Sequence, residues 1–203
     1  SWHAPPAKGT VADSISPINN SGRRQQPKET HVTMSALTAT QAETLALFTS
    51  GADDLEQAIQ GLSETELDYA GTPDGWTIRQ IVHHIADDGD AWSMNFKKAL
   101  ATPGAPIRFE GFPGNDAWAD ALAFDRRPIQ SSVALIKTHR QHIGGLAAYF
   151  PDGWERCVVI VDSQGQAVQS VSAGQILRMI GEHLAEHVVA IAEIKRQHGL
   201  LVE

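Results

Sequence analysis

The segment Gly75-Trp-Thr-Ile-Arg-Gln-Ile-Val-His-His-Ile-Ala-Asp87 opens a helix and sets two consecutive histidines near its start. Thr77 can accept a hydrogen bond from the first helical turn while Gln80, three residues on, reaches back to the Thr77 backbone, the reciprocal arrangement of a capping box. From there Ile78, Ile81, Val82, Ile85, Trp92, Phe96 and Leu100 recur at helical spacing until Pro103 and Gly104 end the run. At 100° per residue His84 falls on the shoulder of the apolar face, whereas His83 falls nearly opposite Ile81 and Ile85. His84 is therefore the histidine of this pair expected to look into the core.

A second helix answers it near the C-terminus. Ser172-x-x-Gln175 forms another capping box, and Ile176, Ile180, Leu184, Val188, Ile191 and Ile194 carry the stripe to about His198, with Gly199 as the stop. His183 and His187 lie inside that stripe. A single histidine on an apolar face is ordinarily a hydrogen-bonded core residue, but two stacked four apart stand close enough to bind one ion together. Two ligands do not close a tight site, so the third has to come from another helix, and His84 is the candidate. His139 lies at the edge of a broad apolar arc and reads as a pocket-lining or supporting residue; His142 lies further out, and His198 reads as solvated at a helix end. The string His183-Leu-Ala-Glu-His187 also matches the H-x-x-E-H pattern of inverted zinc metallopeptidases, but those take a third ligand well downstream, and sixteen residues follow His187. Glu186 reads as a solvated helix residue or as a proton acceptor at the pocket edge.

The remaining segments complete a bundle. A first helix is expected from a cap at Thr40, with Glu43 reaching back, to about Leu62, and another from about Pro128 to Tyr149 through Val133, Ile136, Ile143 and Ala147. Between Leu100 and Pro128 runs a connection too long for a tight turn, with a short helix expected around Asn115 to Leu122. Cys157-Val-Val-Ile-Val161, the turn Asp162-Ser-Gln-Gly165 and the segment Gln166 to Val171 predict a small β-hairpin before the last helix. The expectation is an all-α four-helix bundle with one long crossover and one hairpin.

Composition bounds the function. The 203 residues, 42% of them hydrophobic, suffice for one core, and residues 34–203 read as that single domain. Residues 1–33, rich in Pro, Ser, Asn and Gln without period, read as a disordered extension or leader. The net charge of −8 and the lack of a concentrated basic patch argue against nucleic acid and anionic membranes as partners. One cysteine, Cys157, allows no internal disulfide and is expected buried in its strand; no run of about 18 apolar residues suggests a span. A cytoplasmic protein is the expectation.

At these residues the sequence resembles the DinB-like superfamily, and within it the YfiT-like branch of metal-dependent hydrolases and bacillithiol transferases. The resemblance is carried by residues 75–87 almost letter for letter, by Asp116-Ala-Trp118 in the crossover, by Leu135-x-x-x-His139, by the hairpin and by the H-x-x-x-H pair, in that order over about residues 38–195. It implies an up-down-down-up bundle, a site of His84, His183 and His187 holding zinc or nickel with water in the remaining positions, and often a homodimer. Two departures stand out. Glu182 and Glu186 occupy positions where relatives commonly carry tryptophan and histidine, and Ala190 stands where a further histidine is often found.

A divalent ion on three imidazoles keeps open positions at which water or an incoming thiol is activated. Two enzymatic readings follow: a thiol S-transferase acting on an electrophilic small molecule, or a hydrolase. A non-catalytic metal-stabilised stress or binding module is the alternative, although a structural site would be expected to have a fourth protein ligand. Asp88 follows His84 by one turn and could orient a ligand or relay a proton. Trp118 and Phe112 in the crossover are the expected substrate contacts, with Trp76 a further pocket candidate, and Trp92 and Phe96 expected in the core.

Overall fold

The computed structural model describes residues 36–200. The extension expected over residues 1–33 lies outside the described residues. Four long helices form the body: α1 (Ala39–Ile59), α3 (Ile78–Ala101), α5 (Gln130–Tyr149) and α6 (Ala173–Gln197). Both α1 and α3 pack against both α5 and α6, which makes a ring of four. A short helix α2 (Glu64–Leu67) follows α1, and α4 (Asn115–Ala121) lies in the crossover between α3 and α5. A three-stranded sheet, β1 (Pro106–Ile107), β2 (Cys157–Val161) and β3 (Ala167–Ser172), precedes α6.

The helix starts follow local chemistry. Thr77 with Gln80 and Ser172 with Gln175 form the expected reciprocal caps on α3 and α6. On α1 the box is Thr38 with Gln41, two residues earlier than the expected Thr40 with Glu43, and Gln41 also donates to the Pro151 carbonyl 3.0 Å away. That tertiary bond fixes the earlier start. Ser63 and Glu66 cap α2, a helix the sequence reading passed over.

The hairpin is present, with β2 and β3 antiparallel, and it gains a third member: β1 of the crossover pairs parallel to β2, Pro106 opposite Val159 and Ile107 opposite Ile160. The crossover is thereby tied to the sheet, and Arg156 of the preceding turn donates to the Leu100 carbonyl at the end of α3. Cys157 is half-buried rather than buried, its thiol directed to the Glu155 carbonyl.

The core has two parts. One, beside the sheet, contains Phe48, Phe96, Ile143, Trp154, Val158, Ile176 and Ile180; the other contains Leu55, Ile78, Val82, Ile85, Ile136, Leu184 and Ile191. Each such fully buried aliphatic side chain contributes about 1.5–3 kcal/mol relative to exposure. Phe96 is in the core as expected, whereas Trp92 is only half-buried. Close helix approach depends on Gly144, where a Cβ would come within 2.7 Å of the Thr49 methyl on α1. Arg140 is buried in the core and donates to the Phe48 and Ile180 carbonyls of α1 and α6, with its guanidinium over the Phe48 ring.

His83 corrects the helical-wheel reading. It does not face solvent: it is 1% exposed, its Nδ1 2.8 Å from the Ser132 hydroxyl and its Nε2 3.1 Å from the Arg127 carbonyl, with Phe124 against its ring. The crossover wraps the flank of α3 that an isolated helix would show to water. Among the described residues no helix is long and apolar enough to cross a membrane.

Candidate metal centre

His84 on α3 and His183 and His187 on α6 converge. The Nε2 atoms of His84 and His187 stand 3.2 and 3.0 Å from Nε2 of His183, and one nitrogen of each ring lies within 4.8 Å of the others. The rings meet edge to face, at interplanar angles of 86°, 82° and 73°. This is the group of potential metal ligands found among the described residues.

The chemistry of the donors fits a cation. Nδ1 of His183 lies 3.2 Å from the Asp88 carboxylate, and a carboxylate beside one ring nitrogen favours the tautomer with the proton there and the lone pair on the other nitrogen, here Nε2. That lone pair faces two further imidazole nitrogens at close range. Two nitrogens held about 2.0–2.1 Å from one tetrahedral ion stand about 3.3 Å apart, close to the spacing seen. Burial, and then the neighbouring His183, lowers the pKa of His84; burial with His183 and His84 lowers that of His187 to about 4. Both rings are thus neutral near pH 7, the state that coordination to a divalent ion requires.

Two recesses open beside the triad. The larger, about 760 Å³, is lined by His84, Asp88, Trp92, Phe109, Phe112 and Trp118 among others. The crossover supplies its aromatic wall and is held by two indole–carboxylate bonds, one to α3, Trp118 Nε1 to Asp87 Oδ2 at 2.9 Å, and one to the turn just before α3, Trp76 Nε1 to Asp116 Oδ1 at 2.8 Å. The Trp76 ring also meets His84 edge-on, with centroids 5.0 Å apart. The second recess, about 390 Å³, lies along α6 and is lined by Asp88, Trp92, Met179, His183 and Glu186 with polar neighbours.

The structure therefore gathers His84, His183, His187 and Asp88 at one point, sets Phe112 and Trp118 in the larger recess, and puts exposed Glu186 in the smaller one. His139 is elsewhere: it borders a separate pocket of about 10 Å³ with Phe48, Ser93 and Arg140, its Nε2 3.5 Å from Asp90 Oδ1. Phe109 and Arg108 of the larger recess and Gln175 and Met179 of the smaller one escaped the sequence reading. The first two sit in an aperiodic crossover, and the latter two on the outward edge of α6, where spacing carries no signal.

The model of the DinB superfamily matches residues 47–191, and the chain belongs to that superfamily. Two relatives carry the name "putative metal-dependent hydrolase". One, from Bacillus mycoides (strain KBAB4), is 25% identical over 142 residues, 70% of this chain and 79% of its own. The other, YfiT of Bacillus subtilis (strain 168), is 25% identical over 147 residues, 71% of this chain and 78% of its own. The solved structure of YfiT, described as an unusual four-helix bundle topology, superposes with a TM-score of 0.71 at 21% identity, covering 87% of this chain and 95% of YfiT. A mycothiol-dependent maleylpyruvate isomerase shares the fold with a TM-score of 0.57 at 16% identity, over 74% of this chain and 60% of its own.

Proposed function

We propose that this protein is a metal-dependent enzyme acting on small molecules, a thiol S-transferase in the first place and a hydrolase in the second, with His84, His183 and His187 holding zinc or nickel. The observation that carries it is the convergence of three imidazole nitrogens beside a recess large enough for an organic substrate. A bound divalent ion would lower the pKa of a thiol or water at its open positions.

The chain's own residues do the rest. Asp88 holds His183 in the required tautomer. Glu186, exposed in the smaller recess with His183, accepts the proton that the thiol or water gives up. Phe112 and Trp118 pack on the substrate and shield it from water. The relatives' shared name favours hydrolysis, while the fold likeness to a thiol-dependent isomerase favours thiol chemistry.

The test is turnover of zinc- and nickel-loaded protein with 1-chloro-2,4-dinitrobenzene and a panel of low-molecular-weight thiols, beside p-nitrophenyl acetate without thiol. Thiol-dependent release of chloride supports the transferase, and ester cleavage alone supports the hydrolase. Full metal loading with neither activity would leave the non-catalytic module.

A further inference from the structure

We infer that the metal centre serves two organic substrates at once, a flat electrophile in the aromatic recess on the crossover side and a small polar thiol in the cleft along α6, with the Asp88 and Trp92 side chains as the partition between them. The inference rests on the thiol-transfer reading and goes beyond it by assigning each substrate a separate place.

The two recesses differ in position, in volume and in aromatic lining, yet both reach the triad. The larger touches it through His84 and the smaller through His183, and Asp88 and Trp92 line both. A hydrolase needs room for one organic substrate and water. Here about 760 Å³ lies on one side of the partition and about 390 Å³ on the other, each far more than a water occupies.

Chemistry decides which substrate goes where. The larger recess carries two pairs of aromatic rings, Trp92 with Phe109 at 5.6 Å and Phe112 with Trp118 at 5.8 Å between centroids, and Phe109 and Phe112 are 47% and 46% exposed. Large exposed rings facing a recess offer stacking area to a planar apolar molecule. In the smaller cleft the apolar groups are Met179 and the shared Trp92. The rest is polar: Gln175, the Arg178–Glu182 ion pair at 2.7 Å, and the Asp88 and Glu186 carboxylates. Carboxylates are in excess in both recesses, Asp88, Glu182 and Glu186 against Arg178 here and Asp87, Asp88, Asp90 and Glu110 against Arg108 in the larger, which admits a thiol bearing an ammonium group; the exposed rings and the greater volume are what assign the larger recess to the flat electrophile.

The transfer balances without a further reactant. The thiol proton passes to the Glu186 carboxylate, the sulfur lone pair forms the S–C bond at the electrophilic carbon, and the C–Cl bond of the chloroarene breaks with its electron pair to release chloride. Attack comes across the edge of the partition, where both recesses meet the triad.

Binding of unreactive probes tests this separately from turnover. Calorimetry on the zinc-loaded full chain would use 2,4-dinitrotoluene, which lacks the leaving group, and S-methylcysteamine, which lacks the thiol proton. Each is expected to bind in the presence of saturating amounts of the other with its Kd changed less than about twofold. Phe112→Ala should weaken dinitrotoluene about tenfold and leave S-methylcysteamine alone, and Met179→Trp, which fills the cleft, should do the reverse. Mutual exclusion of the probes, failure of either to bind, or both variants weakening the same probe would overturn the two-place assignment. Independent binding in a protein that shows no thiol-dependent turnover would instead retain the two places and remove the transferase reading.

Discussion

Asp88 Oδ2 lies 3.2 Å from Nδ1 of His183, one turn along α3 from His84, so the helix that supplies one histidine of the triad also sets a carboxylate against another on α6. Asp88→Ala should leave the helical content unchanged and weaken metal binding by about 10–100-fold, the usual cost of removing such a partner. Competition with a chromogenic chelator reads the affinity. Unchanged affinity would show that His183 needs no orienting partner.

Trp118 donates to Asp87 across 2.9 Å and Trp76 to Asp116 across 2.8 Å, a reciprocal pair that fastens the crossover to α3 and the turn before it. Trp118→Phe keeps a ring in the recess and removes one donor. The expected cost is about 1 kcal/mol in global stability, with faster amide exchange confined to residues 103–129. Exchange rising equally across all four helices would contradict this local role.

Arg140 is a buried cation whose nearest partners are helix carbonyls rather than a carboxylate, and burial pushes its guanidinium down to about 10. Arg140→Ala removes the donors and leaves a void, at an expected cost of about 3 kcal/mol in urea denaturation. Arg140→Met fills the space without a charge and should recover at least half of that loss. If Met is as damaging as Ala, the hydrogen bonds rather than the packing hold the site.

Burial lowers the pKa of His83, whose neutral ring already has partners at both nitrogens. The unfolded chain therefore takes up a proton at this residue before the folded chain does. Its contribution to stability is complete above about pH 6.5 and declines as pH falls toward the lower folded value. Metal-free His83→Gln should be less stable at pH 8 yet lose less between pH 7 and 5 than metal-free wild type, as measured by thermal unfolding. An identical slope would assign the acid sensitivity to other groups.

Local signals in the chain were legible where one helix face tells the whole story. Thr77 with Gln80 and Ser172 with Gln175 are self-contained boxes, and the wheel placed His84, His183 and His187 on faces that the bundle brings together. At α1 two overlapping boxes compete, and the choice of Thr38 over Thr40 goes with the Gln41 bond to Pro151, 110 residues away. His83 was misread because a wheel assumes one buried face, whereas Arg127, Phe124 and Ser132 cover a second. The pairing of β1 with β2 is likewise invisible in a two-residue strand that includes a proline. The second recess depends on which outward residues of α6 end up beside Asp88 and Trp92, information held only in the assembled bundle.

The proposed enzyme depends on one divalent ion held by three imidazoles from two helices. Elemental analysis of the purified protein, beside His84→Ala and the double variant His183→Ala/His187→Ala, tests it most directly. About one equivalent of zinc or nickel per chain in the wild type, lost in both variants with helical circular dichroism retained, is the expected result. Wild-type protein without metal after loading and dialysis, or variants that keep a full equivalent, would contradict it.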